Sequence, residues 1–115
     1  MADRAEVEKW LKHVVDTLND VGPDIAADWG GSCQFIFPDL NTGWFLKLKM
    51  DGTVEFLEEK VDEEGATGVI EMGSDTWVGI YEKTISPLEA FSEGKMRVRK
   101  SMDALIKIMP ATAGM

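Results

Sequence analysis

The chain contains one cysteine, one histidine and one tyrosine in 115 residues, and no apolar run long enough to cross a bilayer. A lone Cys33 excludes an intramolecular disulfide and any cysteine-built metal cluster, and it agrees with a reducing cytosol. Basic residues are scarce too. Lys and Arg number 12 against 21 Asp and Glu, for a net charge of -9. Phosphate backbones repel such a chain, so no nucleic-acid partner is expected. Anionic membranes are disfavoured in the same way, leaving only transient contact through a local basic patch. The opening MADRAEVEKW is charged and amphipathic, unlike a secretory leader. The closing PATAGM matches neither the ER nor the peroxisomal address, so the expected localisation is cytoplasmic.

Catalytic signatures are missing as well. No G-x-G-x-x-G, Walker, G-x-S-x-G or H-E-x-x-H pattern occurs. His13 falls on the polar side of the first helical pattern and reads as a surface residue, and Cys33 opens a strand as a small buried hydrophobe. The acidic segment around Glu58, Glu59, Asp62, Glu63 and Glu64 lacks the spacing and central glycine of a calcium loop and reads as a solvated turn. The expectation is a non-enzyme with no metal or cofactor.

What is present suits one globular domain over residues 1–115, with 44% hydrophobic and 29% charged residues. Asp3 and Glu6 form a capping box ahead of Val7, Trp10, Leu11, Val14, Leu18 and Val21, a helix that Gly22-Pro23 should end. A second short helix is predicted from Pro23 to Trp29. Strands follow at Cys33–Phe37 and Trp44–Lys49, then at Val54–Phe56 after the Asp51-Gly52 turn, the last two as a hairpin with one wet face. A fourth strand covers Ala66–Met72, with Ala66, Gly68, Ile70 and Met72 on one side. Ser74 or Asp75 should cap a helix carrying Trp77, Ile80 and Tyr81. Ser86-Pro87 with Glu89 opens a short helix bearing Leu88 and Phe91, Gly94 stops it, and Lys95–Arg99 alternates as a strand with Met96 and Val98 inward. From Ser101, Met102, Leu105, Ile106 and Met109 mark one face of a last helix ending at Pro110. The pattern is α+β, helices covering one face of a mostly antiparallel sheet.

Five internal methionines (Met50, Met72, Met96, Met102 and Met109) are many for this length, and four lie in the second half with Trp77, Tyr81 and Phe91. Methionine fills irregular gaps and adapts to varied partners. Periodicity alone is consistent with either a filled core or a cavity.

The stretch ATGVIEMGSDTWVGIYEKTISPLEAFSEGKMRV, with MDALIKIM after it, resembles the sterol carrier protein 2 family. The shared pattern is a strand from Ala66 to Met72, a cap at Ser74-Asp75, Pro87, Ala90-Phe91, then Gly94-Lys95 and an alternating strand. Gly30-Gly31 and Asp51-Gly52 also fit. Lys100 departs from it, standing where members often carry glycine. The resemblance implies a five-stranded sheet in order 3-2-1-4-5 and an apolar tunnel between sheet and helices. It implies a carrier of a fatty acid, acyl chain or other apolar lipid, contacted by Trp77, Ile80, Tyr81, Leu88, Phe91, Met96, Met102, Leu105, Ile106 and Met109. Lys95, Arg97 and Arg99 would lie on the outer face, near anionic head groups or a partner. The alternative is a non-catalytic interaction or dimerisation domain serving a lipid-metabolism enzyme, with Trp10 on the first helix available to a homodimer partner.

Overall fold

The computed structural model describes residues 2–113. Helix α1 (Arg4–Ile25) opens on the expected box: Asp3 accepts from the Glu6 amide at 2.9 Å and Glu6 accepts from the Asp3 amide. It buries Val7, Leu11, Val14 and Leu18 at three- and four-residue spacing. Contrary to the sequence expectation, α1 runs through Gly22-Pro23, and no separate helix follows. A proline in the last turn forfeits one bond to the Asn19 carbonyl, and the Ala26 amide still closes the turn on Gly22 at 2.8 Å. Gly22 also lies so close to Gly52 that a Cβ on either would overlap the other's backbone. The chain then turns at Asp28, whose φ is 66° and whose amide bonds to Met50 O.

Strands β1 (Ser32–Phe37), β2 (Thr42–Leu48), β3 (Val54–Glu59), β4 (Gly68–Met72) and β5 (Met96–Lys100) form one sheet in order β3-β2-β1-β4-β5. Only β1 and β4 run parallel; the other three pairs are antiparallel. Fold class and strand order are as expected. Helices α2 (Ser74–Tyr81), α3 (Pro87–Ser92), α4 (Asp103–Lys107) and α5 (Met109–Ala113) join α1 over one face. The main core lies between, filled by Phe35, Phe37, Leu46, Ile70, Trp77 and Ile108 among others.

The second and third strands do not present a wholly wet face. Phe45 is buried in a second cluster with Ala66 and Val69, flanked by Ile36 and Phe56. Ala66 thus belongs with Val69, not with Ile70 and Met72 as its spacing suggested. The segment from 60 to 66 closes over this cluster. Buried Gln34 holds it: Nε2 donates to the Trp44 and Lys60 carbonyls, and Oε1 accepts from the Asp62 amide at 2.7 Å. Buried amides are costly unless satisfied, and this one is.

Three helix ends differ from expectation. The N-cap of α2 is Gly73; Ser74 is already helical, its amide capped by Asp39 at 2.9 Å from the turn at Pro38–Leu40. Ser86 holds the N-cap of α3, but its hydroxyl makes no capping bond. The last helix is two short ones broken at Ile108, with Pro110 inside α5 rather than beyond it. Proline has no amide for the carbonyl four residues back, so a continuous helix is interrupted there. The bend lets Leu105, Ile108 and Met109 all face inward while Ile106 stays exposed.

Candidate functional site

Nine of the ten residues singled out from the sequence divide into two groups, and Phe91 belongs to neither. Trp77, Ile80, Tyr81 and Met96 are packed into the core, each under 5% exposed. The Trp77 ring meets Phe35 at 5.1 Å, Phe37 at 5.6 Å and Tyr81 at 4.6 Å between centroids, and its Nε1 donates to Val7 O at 3.3 Å. These rings fill the space between sheet and helices by edge and tilted contacts.

Leu88, Met102, Leu105, Ile106 and Met109 come together instead around an open pocket of about 300 Å³ between α3 and the α4–α5 bend. Pro87 and Pro110 complete its wall. Leu88 and Ile106 are each 64% exposed, although water favours burying such side chains. Phe91, on the same short helix, is half-exposed and outside this lining. In the sequence the two prolines read only as helix punctuation, yet each is adjacent to Leu88 or Met109, and a proline ring in a first turn is also an apolar surface.

A second concavity, of about 370 Å³, adjoins the first at Pro87. The α2–α3 connection supplies most of it, through Lys83, Thr84, Ile85 and Ser86, and Glu89 and Ala113 also line it. A third, of about 470 Å³, runs between α1 and β3 over Leu11, Val15, Trp44 and Leu57. Glu8 and Glu59 in its lining both pair with Arg4, the first at 2.8 Å.

His13 is exposed yet engaged. Its Nε2 lies 2.9 Å from Thr112 O, and its ring packs edge-on to Trp10 and Tyr81. Burial raises the Cys33 thiol and the Tyr81 phenol well above their ordinary values, the second opposed by its bond to Thr112. Both are neutral at physiological pH, and the buried thiol is not activated as a nucleophile. Among the described residues no group of three or more His, Cys, Asp or Glu could hold a metal ion, and no helix is long and apolar enough to cross a membrane.

Solved structures align with this sheet and its helices over nearly the whole chain. Sterol carrier protein 2 like 2 from Aedes aegypti covers 92% of the chain and is itself 95% covered, with a TM-score of 0.70 and 18% identity. The palmitated form of that protein matches at 0.70 with 15% identity, covering 91% of this chain and 92% of its own. The fold is that of the sterol carrier protein 2 domains. A double mutant of the sec-alkyl sulfatase PisA1 has the same fold within a larger chain: TM-score 0.77, 14% identity, 90% of this chain but 16% of the sulfatase. In sequence the chain is 31% identical over 103 residues, 89% of its length, to hydroxysteroid dehydrogenase-like protein 2 of Bos taurus. It spans 23% of that curated relative. No family model matches the sequence. The resemblance drawn from the Ala66–Met109 region therefore holds for the fold.

Proposed function

We propose that the chain is a non-catalytic lipid-binding or carrier domain, one sterol-carrier-protein-2-like unit over residues 1–115, working in the cytoplasm. It holds the apolar part of a fatty acid, acyl chain or similar lipid between α3 and the α4–α5 bend. The observation that carries this reading is the pocket at Leu88, Met102, Leu105, Ile106 and Met109, whose lining bears no charged side chain. Apolar surface left open to water in this way gains free energy on covering, roughly 25 cal/mol per Å² before ordering costs. Such a site selects weakly among chain types. The core groups Trp77, Ile80, Tyr81 and Met96 form the floor on which the pocket rests, and Phe91 extends its apolar approach. The palmitated Aedes aegypti relative supports a fatty acid as ligand class.

Native mass spectrometry of the purified protein, with lipid analysis of its extract, tests the proposal. A near-stoichiometric lipid that is lost in Ile106→Trp, which fills the pocket from an exposed position, is the expected result. Lipid retained undiminished in a folded Ile106→Trp contradicts the assigned lining.

The alternative, an accessory domain of a lipid-metabolism enzyme, is supported by the two larger proteins in which the match covers a minor part of the chain. Light scattering on the isolated chain bears on its homodimer form: a monomer at micromolar concentration counts against self-association through α1.

A further inference from the structure

Resting on the lipid-binding reading, we infer that the α2–α3 connection is a head-group site, with Lys83 recognising the single anionic end of an amphiphile whose tail lies in the neighbouring apolar pocket. Pro87 lines both concavities, so a molecule crossing it has its tail at Leu88 and Ile106 and its other end beside Lys83. Two polar groups there, the Lys83 ammonium and the Ser86 hydroxyl, are uncommitted. Lys83 forms no ion pair with a described carboxylate, and the Ser86 hydroxyl makes no capping bond although it stands at the N-cap. Thr84 is held in place by donation to Gly79 O at 3.2 Å. Glu89 is the one carboxylate in the lining, so a single anionic group is drawn to the Lys83 side.

Position 83 is also unusual in its backbone. Lys83 has φ 66°, the left-handed conformation that ends α2 and that glycine adopts with least strain. From this position Lys83 lines the concavity, and it also borders the groove of Trp10, His13 and Tyr81.

The basic strand β5 is less suited to this role. Arg99 is held by Glu63 at 2.5 Å and Glu71 at 3.3 Å, Lys100 by the carbonyls of Glu63, Glu64 and Ala66, and Lys95 by Glu93 at 3.3 Å. None of these four basic residues of 95–100, Arg97 included, lines the pocket or its neighbour. The inferred ligand class is therefore a single-chain amphiphile with one carboxylate or phosphate, and not a neutral lipid.

The test is displacement of the neutral dye Nile red by decanoate, decyl phosphate and decanol, which share a chain and differ in head group. Wild type and Lys83→Arg should prefer the anionic amphiphiles over decanol. Lys83→Gly, which suits the left-handed backbone, should weaken them about tenfold, the scale of one charge-assisted hydrogen bond, and leave decanol unchanged. The stronger anion distinguishes a carboxylate from a phosphate ligand. A Lys83→Gly protein with an unchanged preference, or one weakened equally for all three, overturns the head-group role while the tail pocket stands. Failure of all three to compete in wild type overturns the lipid reading itself, and this inference with it.

Discussion

The Tyr81 hydroxyl and the Thr112 hydroxyl lie 2.8 Å apart, both buried, and join α2 to the last described helix. Thr112 Oγ1 also donates to Ile108 O at 2.9 Å, so its proton is committed and Tyr81 is the donor between them. The Thr112 carbonyl faces His13 Nε2 at 2.9 Å, which requires that nitrogen to carry a proton. One threonine thus ties α5, and the pocket wall at Met109 and Pro110, to two other helices.

Replacing Thr112 by Val should therefore cost more than its size suggests. It leaves the Tyr81 hydroxyl with only the Met109 sulfur at 3.6 Å, a penalty of about 1–3 kcal/mol for a buried unsatisfied donor. Tyr81→Phe removes the donor and leaves Thr112 bonded to Ile108, so about 0.5–1.5 kcal/mol is expected. Urea denaturation of both variants checks the order; a Tyr81→Phe protein less stable than Thr112→Val contradicts it.

Alkaline pH should destabilise the fold. Cys33 and Tyr81 ionise in the unfolded chain near their ordinary values, 9.0 and 10.0, while burial holds both neutral in the native state well above these. Their contribution is fully present below about pH 9 and is lost as pH rises through the unfolded values toward the raised native ones, at about 1.4 kcal/mol per pH unit per group. Thermal melts from pH 8 upward should show a shallower decline for Cys33→Ala and for Tyr81→Phe than for wild type. Parallel declines would show that neither group is the cause.

Lys100 has φ 63°, and its ammonium donates to three carbonyls, those of Glu63 and Ala66 at 2.7 Å and Glu64 at 3.2 Å. The residue that departs from the expected glycine thus compensates its backbone strain by binding the segment that covers Phe45. Lys100→Gly relieves the strain and loses the bonds, for a net loss of about 1 kcal/mol. Lys100→Ala loses the bonds and keeps the strain, so stability should fall in the order Lys, Gly, Ala. Proteolysis within residues 60–66 should rise in both variants.

At Gly22, helix propensity alone favours alanine by about 1 kcal/mol. The Gly52 backbone occupies the space of that methyl, so Gly22→Ala should instead destabilise by about 3 kcal/mol. A measured gain in stability would mean that the α1–hairpin contact is looser than described.

The sheet was legible because its signals are local: alternation at Trp44, Leu46 and Leu48, Asp51-Gly52 between strands, and the apolar stripe of α1. The helix ends were not. Asp39 caps α2 from 35 residues away, a partner no local pattern displays. Gly22-Pro23 reads as a stop in isolation, yet the fit of Gly22 against Gly52 and the closing bond at Ala26 keep the helix going. Among the predicted lining residues, periodicity marked Trp77 and Ile106 alike as apolar-face positions. Packing separates them: Trp77 enters the core from α2 against Phe35, Phe37 and Tyr81, while Ile106, beside the break at Ile108, is left on an open wall. Lys83 gave no signal, because its importance lies in the backbone angle and in sharing a concavity with Pro87.

The most direct test of the central claim is photo-crosslinking with a diazirine-bearing fatty acid, the labelled residues being mapped by peptide mass spectrometry. Labelling concentrated on Leu88, Met102 and Ile106, and competed away by unlabelled decanoate, is the result the account predicts. Labelling confined to the groove of Leu11, Val15 and Leu57, or no competed labelling at all, would contradict it.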